Sequence, residues 1–156
     1  MKQNKAKPSI KFHSHGVKFR FDQKTRLKQF LVKLFEMENI PLNTLDYVFC
    51  SDEYLLQINR QFLQHDYHTD IITFPYSQEG EPIIGEIYIS MDRVEENARD
   101  FKVNRNQELL RVIFHGALHL CGYLDKTTKE IELMRKKEDE YLGKWNTENG
   151  ILKTEY

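Results

Sequence analysis

The sequence predicts an α+β fold, a small mixed β-sheet packed with about five helices. Apolar residues recur at helical spacing in several stretches, short strand-length apolar runs lie between them, and the two kinds alternate irregularly along the chain. At 156 residues the chain is long enough for one core and reads as one domain over residues 1–156. No internal repeat, low-complexity stretch or Pro/Gly/Ser-rich linker divides it.

Each element has its own signal. Residues 10–21 alternate in part, through Ile10, Phe12, Val17, Phe19 and Phe21, which predicts an early strand or hairpin broken near His15-Gly16. Leu27, Phe30, Leu31, Leu34 and Phe35 make residues 25–38 an amphipathic helix. Leu45 to Cys50 is a short apolar strand, and Asp52 to Phe62 a second helix. Asp70 to Phe74, stopped by Pro75, and Ile83 to Ile89 read as core strands joined by the turn-rich segment Ser77 to Pro82. Asp92 to Phe101 is a third helix. Residues 106–121 form a fourth, with Asn104 or Asn106 as N-cap and Gly122 as its stop. Thr127 and Glu130 have the form of a capping box opening a last helix through about Leu142. Nothing periodic follows Gly143, so residues 143–156 are expected to be a loosely ordered tail.

Composition narrows the classes. Hydrophobic residues make up 40% and charged residues 30%, as in ordinary globular proteins, and the formal net charge is −1. Any nucleic-acid contact must therefore come from a local basic patch. No apolar run approaches the length of a membrane span, and the polar, basic N-terminus has no secretory core. Two cysteines, Cys50 and Cys121, do not make a disulfide framework, which fits a reduced cytoplasmic setting.

The chemistry concentrates in residues 115–125. His115 and His119 lie four apart, on one helical face, with Cβ atoms roughly 6 Å apart and able to reach a common ion. Gly122 permits the reversal that brings Asp125 back towards them. Three protein ligands with an open fourth position describe catalytic zinc, which lowers the pKa of water towards neutrality and polarises carbonyl or phosphoryl oxygens. Zinc proteases of the His-Glu-x-x-His type use the glutamate as general base, and here that position is Gly116. Phosphodiester hydrolysis asks less of that position than peptide hydrolysis. Cys121 falls on the other side of the helix, as an apolar filler.

With these residues the sequence resembles the YbeY family of bacterial ribonucleases and rRNA maturation factors. The run His115-Gly116-Ala117-Leu118-His119-Leu120-Cys121-Gly122-Tyr123-Leu124-Asp125 is similar to that family's His-Gly-x-Leu-His-Leu-x-Gly-Tyr-Asp-His. Ile58-Asn59, Asp66 and Thr69 to Pro75 resemble its segment ending Thr-Asp-Val-Leu-Ser-Phe-Pro, and Gly85 to Ser90 its Gly-Asp-Ile strand. The likeness runs from about residue 45 to 142. It implies a mixed sheet packed with helices, with one Zn2+ at one end of a cleft, held by His115, His119 and Asp125. The implied activity is that of a cytoplasmic, metal-dependent endoribonuclease that prefers single strands, matures the 3′ end of small-subunit rRNA and serves ribosome quality control. Implied partners are single-stranded RNA or rRNA, the ribosomal small subunit and a ribosome-associated GTPase.

Two positions depart from the family pattern. Asp125 stands where the third ligand is usually histidine, which makes the site less positive and shifts its metal preference. Leu63 stands where an arginine usually follows the aromatic residue, here Phe62, and Arg60 is the candidate to put a guanidinium near the phosphate instead. Two other readings remain open: an assembly factor with a mainly structural metal, and a small zinc protease, against which Gly116 argues.

Other polar residues have blander readings. Arg135, Lys136 and Lys137, with Lys126 and Lys129, form either a path for an RNA backbone or a solvated helix face shared with Glu130, Glu132, Glu138 and Asp139; the solvated face is favoured. Thr69 and Asp70 either hold a ligand histidine by hydrogen bond or simply begin a strand. His65 and His68, flanking Asp66, either border the cleft or are simply exposed, with exposure favoured, and His13 and His15 have nothing near them at metal spacing.

Overall fold

A computed structural model describes residues 7–149. The elements are β1 (Ser9–His15), α1 (Lys24–Met37), β2 (Leu42–Cys50), α2 (Asp52–Leu63), β3 (Ile71–Pro75), β4 (Ile83–Ser90), α3 (Met91–Phe101), α4 (Arg105–Leu120) and α5 (Thr128–Glu148). They form an α+β fold around one mixed sheet of order β1-β2-β4-β3. β1, β2 and β4 run parallel, and β3 pairs antiparallel with β4 at the edge.

Period-two alternation sends successive side chains to opposite faces of this sheet. Leu45, Tyr47, Phe49, Ile87 and Ile89 face a core shared with α1, α4 and α5. Cys50, Ile72, Phe74 and Tyr88 face Leu55 and Ile58 of α2 on the other side. At the edge, Tyr76 N–H donates to Ile84 O and Ser90 N–H to Asp70 O, so even-numbered residues of β3 exchange bonds with β4. Pro75 then falls at an outward-facing position, where a missing N–H costs no ladder bond.

Helix ends follow side-chain chemistry. Ser51, Ser90 and Asn104 each accept a backbone N–H in the first turn of α2, α3 and α4, and Thr127 with Glu130 closes the expected capping box on α5. α4 ends in a Schellman motif: Gly122 N–H donates to His119 O and Tyr123 N–H to Leu118 O, with Gly122 at φ +107°.

Two expectations change. Residues 17–21 form no second strand. β1 finds its partner in β2, and Val17, Phe19 and Phe21 pack onto the core from an irregular segment after Gly16 turns the chain. α5 does not stop near Leu142 but continues to Glu148, because Trp145 is buried against Phe30 of α1 at 5.4 Å and beside Phe21. Gly143 lies within that helix facing open space, so it breaks nothing. Residues 150–156, the rest of the expected tail, lie outside the described residues.

Candidate metal centre

α4 presents His115 and His119 one turn apart, their rings 4.5 Å between centroids and 85° between planes. The Schellman turn brings Asp125 back over them. Its Oδ2 lies 3.2 Å from His115 Nε2 and 3.1 Å from His119 Nε2. One ligand atom from each of the three residues falls within 4.8 Å of the others.

The opposite nitrogens decide what this convergence means. His115 Nδ1 is 2.6 Å from Glu138 Oε2, and His119 Nδ1 is 2.9 Å from the Tyr123 carbonyl. A carbonyl can only accept, so His119 carries its proton on Nδ1. Burial raises the Glu138 carboxyl, but the hydrogen bond from His115 and the pairing with the Arg111 guanidinium outweigh it and hold it below the ordinary glutamate range. An ionised Glu138 also only accepts, so His115 is protonated on Nδ1 as well. Each Nε2 is then the ring nitrogen left to act as a ligand, and both converge on the same carboxylate oxygen, a donor set that suits a divalent cation.

Two of the three ligand-atom separations suit a tetrahedrally held metal ion. Bond lengths of about 2.0–2.2 Å at tetrahedral angles place neighbouring ligand atoms about 3.4 Å apart. The two Nε2-to-Oδ2 separations are within a few tenths of that value. With side-chain exposures of 16% for His115, 21% for His119 and 39% for Asp125, the cluster opens to solvent, as a site with a free coordination position must.

A buried polar frame holds the two histidines. Glu138 of α5 is 3% exposed and also accepts from Arg111 Nη1 at 3.1 Å. Arg111 in turn pairs with Glu108, so one guanidinium is shared by two buried carboxylates. On the other side, Tyr123, whose carbonyl orients His119, donates its hydroxyl to Glu38 Oε1 at 2.6 Å. Glu38 also accepts from Tyr141 and from Lys137, which fixes the reversed loop to α1 and α5. Burial raises the Glu38 carboxyl, yet its hydrogen bonds from Tyr123, Tyr141 and Lys137 bring it below the ordinary range.

Glu138 overturns the solvated-face reading at its own position: it points inward, and Lys137 is paired with Glu38 and Glu140. Arg135 and Lys136 do lie exposed. The hydrogen bonds that orient the ligand histidines come from Glu138 and Tyr123, whereas Thr69 Oγ1 bonds Ile71 O and Asp70 begins the β3 ladder. Cys121 is partly buried against the core, with its thiol pushed up to about 12 by burial and by Glu38.

Gly116 has a packing reason. A Cβ there would meet Ile71 Cδ1 at 2.9 Å and two Ile87 carbons at 3.0 Å, so any side chain there, glutamate included, must push both isoleucines aside. Arg60 is not brought into the cluster. It lies in the last turn of α2, half exposed, with its guanidinium on Asp66. His13 pairs with Asp46, His68 with Asp52, and His65 with the Tyr67 hydroxyl, all away from the three ligands.

Comparison with known proteins shows the family. The family described as Endoribonuclease YbeY matches residues 9–146. A relative from Cytophaga hutchinsonii named Endoribonuclease YbeY is 48% identical over 135 residues, covering 86% of this chain and 94% of that protein. One of the same name from Flavobacterium psychrophilum is 46% identical over 129 residues, covering 83% and 91%. Among solved structures, the solution structure of TM1509 from Thermotoga maritima is similar with a TM-score of 0.57 and 30% identity, covering 89% of this chain and 93% of that one.

Proposed function

Because this chain belongs to the endoribonuclease YbeY family, we propose that it is a zinc-dependent endoribonuclease that cuts single-stranded RNA. Its proposed place is the cytoplasm, in maturing the 3′ end of small-subunit rRNA and in ribosome quality control, in contact with the small subunit and a ribosome-associated GTPase. The observation that carries the metal assignment is the convergence of the two Nε2 atoms and the Asp125 carboxylate at one point, each imidazole held by an acceptor on its far side.

His115, His119 and Asp125 would hold the ion. When bound, it supplies positive charge beside the scissile phosphodiester and lowers the pKa of adjacent water. Glu138 and the Tyr123 carbonyl keep the imidazoles in the tautomer that presents Nε2, so no reorganisation is needed when charge develops. Arg60 is assigned a phosphate contact. Its present partner Asp66 is largely exposed, so exchanging that carboxylate for a phosphate oxygen costs little.

The structural-metal reading has less support, because His115, His119 and Asp125 are partly exposed and not closed within the core. The protease reading lacks a place for its base, since Ile71 and Ile87 fill the space beside Gly116.

The test is cleavage of a single-stranded RNA and of its duplex by wild type, His119→Ala and Arg60→Ala. The expected result is preference for the single strand, loss of cleavage in His119→Ala with the fold retained, and a raised KM in Arg60→Ala. Undiminished cleavage by a folded His119→Ala protein would refute the assignment.

A further inference from the structure

Charge is distributed very unevenly along this nearly neutral chain. Ten of its 23 Lys and Arg residues fall in residues 1–35, together with a single carboxylate, Asp22, of its 24 Asp and Glu. The remainder is correspondingly acidic.

Beyond residue 35, Arg60, Arg93, Arg105, Arg111 and Lys137 pair with carboxylates of the same chain, and the exposed cations Lys129, Arg135 and Lys136 share their helix with Glu130, Glu132, Asp139 and Glu140. Lys18, Arg20, Lys24 and Lys28 have no carboxylate oxygen within 4.0 Å among the described residues. These four are gathered on one side of the molecule. Val17, Phe19 and Phe21 turn inward, leaving Lys18 and Arg20 between them exposed. Lys24 Nζ lies 5.1 Å above the Phe19 ring and Lys28 Nζ 5.3 Å above the Phe12 ring. The two rings are 5.6 Å apart and the two lysines are one turn apart on α1, so both ammonium groups belong to one patch.

Like charges one helical turn apart repel, and nothing within the described residues neutralises them. A polyanion laid across them would. We propose that this β1–α1 side is a second RNA contact, gripping the phosphate backbone of the substrate away from the point of cleavage. That the polyanion is RNA rests on the endoribonuclease reading. The contact is remote from the metal centre because β1 is one edge of the sheet, whereas the histidine helix packs through Gly116 under β3 and β4 at the other. It therefore acts on long RNA and not on one short enough to occupy only the cleavage site.

The test uses the variant Lys18→Gln/Arg20→Gln/Lys24→Gln/Lys28→Gln, with thermal unfolding to confirm its fold. Binding of a cleavage-resistant 2′-O-methyl RNA of about 20 nucleotides is followed by fluorescence anisotropy against KCl. Losing four phosphate contacts should reduce the slope of log K against log salt by about 2.8 and weaken binding about tenfold or more. The half-variants Lys18→Gln/Arg20→Gln and Lys24→Gln/Lys28→Gln should each remove about half of that slope, which keeps the test open if the fourfold variant is unstable. Cleavage of a short RNA should be unchanged while KM for a long one rises. An unchanged slope in the folded variants would overturn the proposal. So would charge-dependent binding to phosphatidylglycerol vesicles with RNA binding unaffected, which would make the patch a membrane contact. Failure of the nuclease reading is separable: a wild type that cleaves no RNA, yet shows the patch-dependent slope, sinks that reading and supports this one.

Discussion

Glu138→Gln keeps the volume of the buried side chain and removes its charge. In the native protein this carboxylate accepts from His115 Nδ1 and Arg111 Nη1. Arg111 retains Glu108 in the variant, so no buried charge is orphaned, and the cost stays below the about 3–5 kcal/mol of a broken buried pair. The amide keeps one acceptor and sets a donor where the other oxygen was, so one charge-assisted hydrogen bond is weakened and the other is lost, which should cost about 1–3 kcal/mol of stability. Loss of the carboxylate behind His115 should weaken metal binding about 10–100-fold, or about 1.4–2.7 kcal/mol. Urea denaturation of metal-free protein reads the first quantity, and competition with a chelator at fixed zinc reads the second. Because the folded carboxyl is held below its ordinary value, its contribution is complete above the ordinary glutamate range and fades as pH falls through the lowered value. The stability gap between wild type and variant should therefore be constant near neutrality and close in acid. Equal zinc affinity in wild type and Glu138→Gln would refute the orienting role.

Other perturbations separate the frame from the site. Glu38→Gln should cost about 1–3 kcal/mol in urea unfolding, and should also lower zinc affinity, because Tyr123 loses the anchor of the loop that orients His119. Gly116→Leu should destabilise by about 1–3 kcal/mol or more through overlap with Ile71 and Ile87, measured by the same unfolding, and Gly116→Glu should yield no peptidase activity. Trp145→Ala should cost about 3–5 kcal/mol, whereas a loose tail at that position would register within about 0.5 kcal/mol.

What was readable in the sequence was local. His115, His119, the Gly122 stop and the Asp125 return lie within eleven residues, so spacing and cap chemistry suffice to place them on one face of a helix end. The elements that carry apolar periodicity appeared near their expected positions for the same reason. Glu138 was missed because its partner His115 is 23 residues away and its neighbours Lys137 and Asp139 make a charged run. A usable signal was present: Met134, Glu138, Tyr141 and Trp145 form one buried stripe along α5, and a carboxylate on such a stripe needs a buried partner. That stripe also carries the helix past Gly143. Val17, Phe19 and Phe21 mimicked a strand because alternation reports which side chains turn inward, not whether the backbone between them has a ladder partner. Gly116 was legible as a missing glutamate, but its tight fit against two isoleucines is a tertiary fact.

The most direct test of the central claim is the stoichiometry of zinc bound by the metal-stripped protein, with RNA cleavage followed at each addition. The account predicts one ion per chain, cleavage rising with occupancy to saturation at one equivalent, and neither binding nor cleavage in His115→Ala or His119→Ala. Full cleavage by the stripped wild type in the presence of chelator, or one tight zinc retained by both histidine variants, would contradict it.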